Sequence, residues 1–159
     1  MINLFEMARR FSDAGVYFVI VGGVAIRSHG GNYVTEDLDI CYSRTHENLK
    51  KIADVLLPLN PRPRNFPEGL PYIFDWTTLQ HGTNFTFETS MGDVDLLGEV
   101  KAVGNYEDLV HQSIRVDLDG KSTYILSIPA LIVAKRAAGR PKDAAGLKVL
   151  EALIEAQDN

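Results

Sequence analysis

The sequence holds a single cysteine, Cys41. No internal disulfide can form, which fits a reducing, cytoplasmic setting. No apolar run approaches the roughly 20 residues that a membrane span needs. The first residues place Glu6 inside their apolar stretch and carry no basic leader, so neither a membrane association nor export is expected. A basic excess is also missing. Lys and Arg number 16 against 21 Asp and Glu, a net charge of −5, which argues against a non-specific nucleic-acid binder while leaving room for a local basic patch. The four histidines lack metal-ligand spacing. Repeats and low-complexity tracts are absent, and nothing marks a second domain. What is present is a chain of 159 residues, 45% apolar and 23% charged, expected to form one soluble domain spanning residues 1–159.

Leu4, Ala8 and Phe11 recur at helical spacing, and Gly15 follows to help end that helix. Val16 to Val21 is almost wholly apolar, as a strand covered on both faces would be. A short helix is expected from Val24 to about His29, then a strand around Leu38 to Tyr42. Thr45 is the expected cap of a helix with Leu49, Ile52, Ala53, Leu56 and Leu57 on one stripe. Five of the seven prolines fall between Pro58 and Pro71, which reads as loop. Asn84 to Thr89 and Val94 to Leu97 read as paired strands around a Met91-Gly92-Asp93 turn. Asp119-Gly120 joins a second hairpin, Ser113 to Leu118 and Lys121 to Leu126. Ser127 caps a helix that ends at Gly139, Pro141 starts another, and Leu147, Leu150 and Ile154 give that last helix its buried face. The expected fold is α+β, a mixed sheet with helices packed mainly on one face.

The chemistry concentrates in Val21-Gly22-Gly23 and, after thirteen intervening residues, Asp37-Leu38-Asp39-Ile40. Strand alternation puts Asp37 and Asp39 on one face. Two like charges on an otherwise apolar strand repel, and a divalent cation removes that penalty; an oxygen-rich set of this kind suits Mg²⁺. The glycine pair leaves backbone N–H groups open to a phosphate. Phosphate beside metal points to phosphoryl or nucleotidyl transfer.

This pattern resembles the signature of the nucleotidyltransferase superfamily, the DNA-polymerase-beta-like fold: a hydrophobic residue, two glycines, a short spacer, then Asp-hydrophobic-Asp, with a third acid on a later strand. Asp95, in Gly92-Asp93-Val94-Asp95-Leu96, stands where that acid is expected, and Asp93 is assigned instead to the turn. The tail, Leu131 to Lys135 and Gly139 to Asp143, is similar to small bacterial members, including the AbiEii-like toxin branch. The resemblance implies Mg²⁺ or Mn²⁺ held by Asp37, Asp39 and Asp95. It implies a nucleoside triphosphate met by Gly22, Gly23, Lys135 and Arg140, and catalysis by the three acids with Lys135. The reaction it implies moves a nucleoside monophosphate to an acceptor hydroxyl on RNA, such as a tRNA end, on protein or on a small molecule. A non-catalytic nucleotide- or partner-binding member, or a toxin held by an antitoxin protein, are the alternatives.

Lys135, Arg136, Arg140 and Lys142 place four positive charges in eight residues. A solvated helix end accounts for Arg136 and Lys142, whereas Lys135 directly follows four apolar residues. Asp143 either follows the family's basic motif or simply pairs with Arg140. One departure stands out. Related sequences often carry an arginine two residues before the threonine that precedes the Asp pair. Here Tyr33 takes that place and Thr35 is kept, with Arg27 as a candidate replacement.

Overall fold

The computed structural model describes residues 2–158. Helix α1 (Leu4–Asp13) buries Leu4, Met7, Ala8 and Phe11 along one stripe, and the Asn3 side chain caps it by accepting from the Glu6 N–H. Strand β1 (Phe18–Val21) is buried at every residue, so the centre of the sheet is covered on both faces. It starts two residues later than its apolar run suggests. The reason is Asn48, whose side chain takes both backbone groups of Tyr17, accepting at 2.8 Å and donating at 3.1 Å. A third contact, to the Ser43 carbonyl at 2.8 Å, completes this buried amide.

The chain turns directly from β1 into α2 (Gly22–Ser28), earlier than expected, with Gly22 at a φ of 68° that favours glycine. Next come β2 (Asp37–Tyr42) and α3 (His46–Leu56), the latter capped by Thr45 as its sequence indicates. The proline-rich segment is not only loop. A 3-10 turn (Leu57–Leu59) leads to β3 (Arg62–Pro63), which pairs antiparallel with β4 (Phe85–Thr89). Its proline is tolerated because this strand lies at the sheet edge. Helix α4 (Trp76–Gln80) intervenes, opened by a capping box between Asp75 and Thr78.

Strand β5 (Gly92–Leu97) begins earlier than expected, because parallel pairing with β2 already holds Asp93 opposite Asp37. A small ribbon of β6 (Glu99–Val100) and β7 (Gly104–Asn105) and the short helix α5 (Tyr106–Val110) were not legible in the sequence. The hairpin of β8 (Ser113–Leu118) and β9 (Lys121–Leu126) forms as read, with Asp119 and Gly120 both at positive φ. Helix α6 (Ile128–Ala138) runs from the Ser127 cap to Gly139 at φ 61°. A 3-10 turn (Pro141–Asp143) then leads into α7 (Ala144–Asp158).

The strand order is β3-β4-β5-β2-β1-β9-β8. β1 runs antiparallel to β2 and parallel to β9, and β2 runs parallel to β5. The sheet is therefore mixed, and the fold is α+β. Among the described residues no helix is long and apolar enough to cross a membrane.

Candidate active site: an acidic cluster facing a basic helix end

The central strands deliver the acids. The β2–β5 register sets Asp39 opposite Asp95, while Leu38, Ile40, Val94 and Leu96 are fully buried and anchor the two strands. Carboxylate oxygens of Asp37, Asp39 and Asp95 lie within 4.8 Å of one another. Crowding and lost hydration make this group costly. Burial, then the adjoining Asp95 carboxyl, pushes the Asp39 carboxyl up to about 8. Burial and the neighbouring Asp95 raise Asp37 as well.

Asp93 is a strand residue on the same face, so assigning it to a turn was incorrect. It stands outside the clustered trio, and its Oδ2 lies 3.2 Å from Arg64 Nε. Arg64 is the residue that the sequence did not reveal. Its Nη2 donates to Asp95 Oδ1 at 2.8 Å and lies 4.0 Å from Asp37 Oδ1. It follows β3 directly, and its backbone N–H donates to the Thr86 carbonyl at 2.9 Å. The signal was weak because the proline-rich stretch carries no periodicity that would aim a side chain.

Both glycines face protein groups. A Cβ on Gly22 would collide with the Asp39 carboxylate, and one on Gly23 would sit 2.6 Å from Thr35 Cβ. Glycine is thus required here by close packing of the chain on itself. Thr35 Oγ1 donates to the Asp37 carbonyl at 3.1 Å, and the Tyr33 ring lies beneath Lys135 Nζ, 5.9 Å from its centroid. Arg27 does not replace the missing arginine: its guanidinium lies over Phe5, 5.6 Å from the ring centroid, and it does not line the cavity. His29 Nε2 meets the Leu126 carbonyl at 2.8 Å, a structural contact.

Opposite the acids, α6 and the turn after it assemble the cations. Lys135 Nζ is 3.1 Å from Asp143 Oδ1, and Arg140 Nε is 2.8 Å from Asp143 Oδ2. The Arg140 guanidinium, then Lys135, hold the buried Asp143 down at about 2. Arg136 points elsewhere, to Glu151 at 3.5 Å. One cavity of about 660 Å³ joins the halves, lined by Gly22, Gly23, Asp39, Asp95, Lys135 and Arg140 among others.

No family model and no curated protein matches the chain. Solved structures do. A lincomycin-bound lincosamide antibiotic adenylyltransferase, LnuA, superposes with a TM-score of 0.62 at 14% identity, covering 94% of this chain and 95% of the other. A Thermotoga maritima protein assigned to the nucleotidyltransferases gives 0.58 at 17% identity, covering 93% of both. ANT(2'')-Ia in complex with adenylyl-2''-tobramycin gives 0.59 at 15%, covering 96% of this chain and 87% of that one. The chain has the nucleotidyltransferase fold.

Proposed function

We propose that the chain is a minimal, metal-dependent nucleotidyltransferase that moves a nucleoside monophosphate from a nucleoside triphosphate to an acceptor hydroxyl. The observation that carries this reading is the convergence of the Asp37, Asp39 and Asp95 oxygens within 4.8 Å, across one cavity from Lys135 and Arg140.

The donor set fits a hard divalent cation such as Mg²⁺ or Mn²⁺. All three groups are carboxylates, and burial together with their crowding, which raises Asp39 and Asp37, is what such an ion relieves. Bound there, the ion would supply Lewis-acid polarisation of the α-phosphate.

The chain's own groups do the rest. The first turn of α2 has no side-chain cap, so the N–H groups at Gly22 and Gly23 stay open to triphosphate oxygens. Lys135 and Arg140 leave Asp143 to neutralise the departing pyrophosphate. Asp95 accepts the acceptor's proton as its oxygen bonds the α-phosphorus and the bond to the pyrophosphate oxygen breaks.

Among the acceptors that the resemblance allows, a hydroxyl-bearing small molecule is preferred over tRNA, protein or a toxin role. One structural neighbour is a lincosamide antibiotic adenylyltransferase, and another is in complex with adenylyl-2''-tobramycin. Incubation with Mn²⁺ or Mg²⁺, each labelled triphosphate and a panel of polyhydroxylated small molecules should give acceptor-dependent pyrophosphate release. The release should vanish on chelation and in Asp39→Asn. No metal-dependent turnover of any triphosphate would refute the proposal.

A further inference from the structure

We infer that Arg64 is a resident counter-ion of the acidic cluster and competes with the divalent cation for it. The inference rests on the metal-dependent reading above.

One guanidinium nitrogen stands against two of the three clustered carboxylates, at 2.8 Å from Asp95 Oδ1 and 4.0 Å from Asp37 Oδ1. Among the described residues no other Lys or Arg forms an ion pair with these acids; Lys135 and Arg140 are engaged by Asp143 instead. The seat is electrostatic rather than a fully satisfied hydrogen-bond niche. Arg64 Nε is buried and makes no hydrogen bond, although Asp93 Oδ2 is 3.2 Å away.

The segment is built to present this side chain. The Arg62 guanidinium donates to the carbonyls of Pro67 and Leu70 at 3.1 and 2.8 Å and lies over the Phe66 ring, which packs on Tyr72. That brace closes the proline-rich turn. Arg64 N–H bonds β4 and Asn65 takes a left-handed φ of 65°, so the guanidinium is aimed at the sheet face.

A divalent ion drawing on Asp95 and Asp37 meets a positive charge already holding the same groups. Two cations repel at that range, and Asp95 Oδ1 cannot fully serve both. Arg64 therefore weakens metal binding by the nucleotide-free chain.

The test is the affinity of the full chain for Mn²⁺ without nucleotide, read from the electron paramagnetic resonance signal of the free ion. Arg64→Gln should bind Mn²⁺ about fivefold tighter or more, the low end of ordinary coupling between sites. Arg64→Met, a second uncharged side chain, should do the same, whereas Arg64→Lys, which keeps the charge, should stay near the unaltered chain. Equal or weaker binding by both uncharged variants, with melting curves showing them folded, overturns the inference. Asp39→Asn separates the two readings. If it weakens Mn²⁺ binding while the Arg64 variants fail to tighten it, only the counter-ion role falls. If it leaves Mn²⁺ binding unchanged, the metal site falls and the counter-ion role with it.

Discussion

Asp39 and Asp143 border the same cavity, and their surroundings push them in opposite directions. Asp39 is buried among other carboxylates, and burial first, then those neighbours, drives it up to about 8, whereas Asp143 lies between Arg140 and Lys135 and is held at about 2. Arg64 stands against Asp95 and Asp37 and leaves Asp39 without an ion pair, so the acidic half is only partly satisfied, whereas the basic half is settled. Unsatisfied charge costs stability and is tolerated where a ligand will later relieve it; satisfied charge holds the fold together. Function and stability should therefore separate along this line, and substitutions can test it.

The largest effect is expected at Asp39. Asp39→Asn should lower turnover by about a thousandfold, the upper end for one electrostatic group, without lowering the melting temperature. A carboxyl raised from 3.8 to about 8 favours the metal-free fold fully below pH 3.8 and loses that contribution as pH rises through about 8. Above that pH the Asn variant should melt higher than the unaltered chain in chelator. A clear fall in its melting temperature would mean that Asp39 serves the fold.

Lys135 lies on the settled side yet lines the cavity. Lys135→Ala should lower turnover by about a hundredfold and leave Asp143 still paired with Arg140, with a smaller effect on melting. Equal effects of Lys135→Ala and Arg136→Ala on turnover would reduce both to a solvated helix end.

Asp143 should act through stability. Its contribution is present above pH 3.8 and is lost as pH falls through about 2. On the order of 2 kcal/mol should disappear over that window, and Asp143→Asn should lose this acid limb in denaturant titrations at stepped pH. The smallest effect belongs to Arg136→Ala, whose exposed pairing with Glu151 should be worth about 0.5 kcal/mol or less.

The same contrast explains what could be read from the sequence. The acidic trio is a local strand property propagated by register: alternation in β2 sets Asp37 and Asp39 on one face, and a single neighbouring strand supplies Asp95. Helix caps at Thr45, Ser127 and Gly139 and the Asp119-Gly120 turn are likewise written in adjacent residues. Arg64 is not. Its approach depends on an edge strand of two residues held by β4, and no pattern within Pro58 to Pro71 encodes that pairing. Asp93 shows the limit of turn chemistry, since a residue type common in turns was drawn into the ladder by a strand more than fifty residues earlier. The glycine pair is plain in the sequence, but the steric demand behind it comes from Asp39, Thr35 and Tyr33, groups that only the folded chain brings near.

The parallel pairing of Val19 with Tyr124 and Ile20 with Ile125 also sets an order of assembly during synthesis. Every strand that carries a clustered carboxylate has been made by Leu97, whereas β9 and the helix bearing Lys135 come later. Until Lys121 to Leu126 leaves the ribosome, the wholly apolar β1 has β2 on one side and a bare edge on the other. A nascent chain at that stage is open to strand pairing with other chains. A chain truncated before β9 would combine an assembled acidic face with an open, adhesive sheet, so premature termination should yield aggregation rather than a silent fragment.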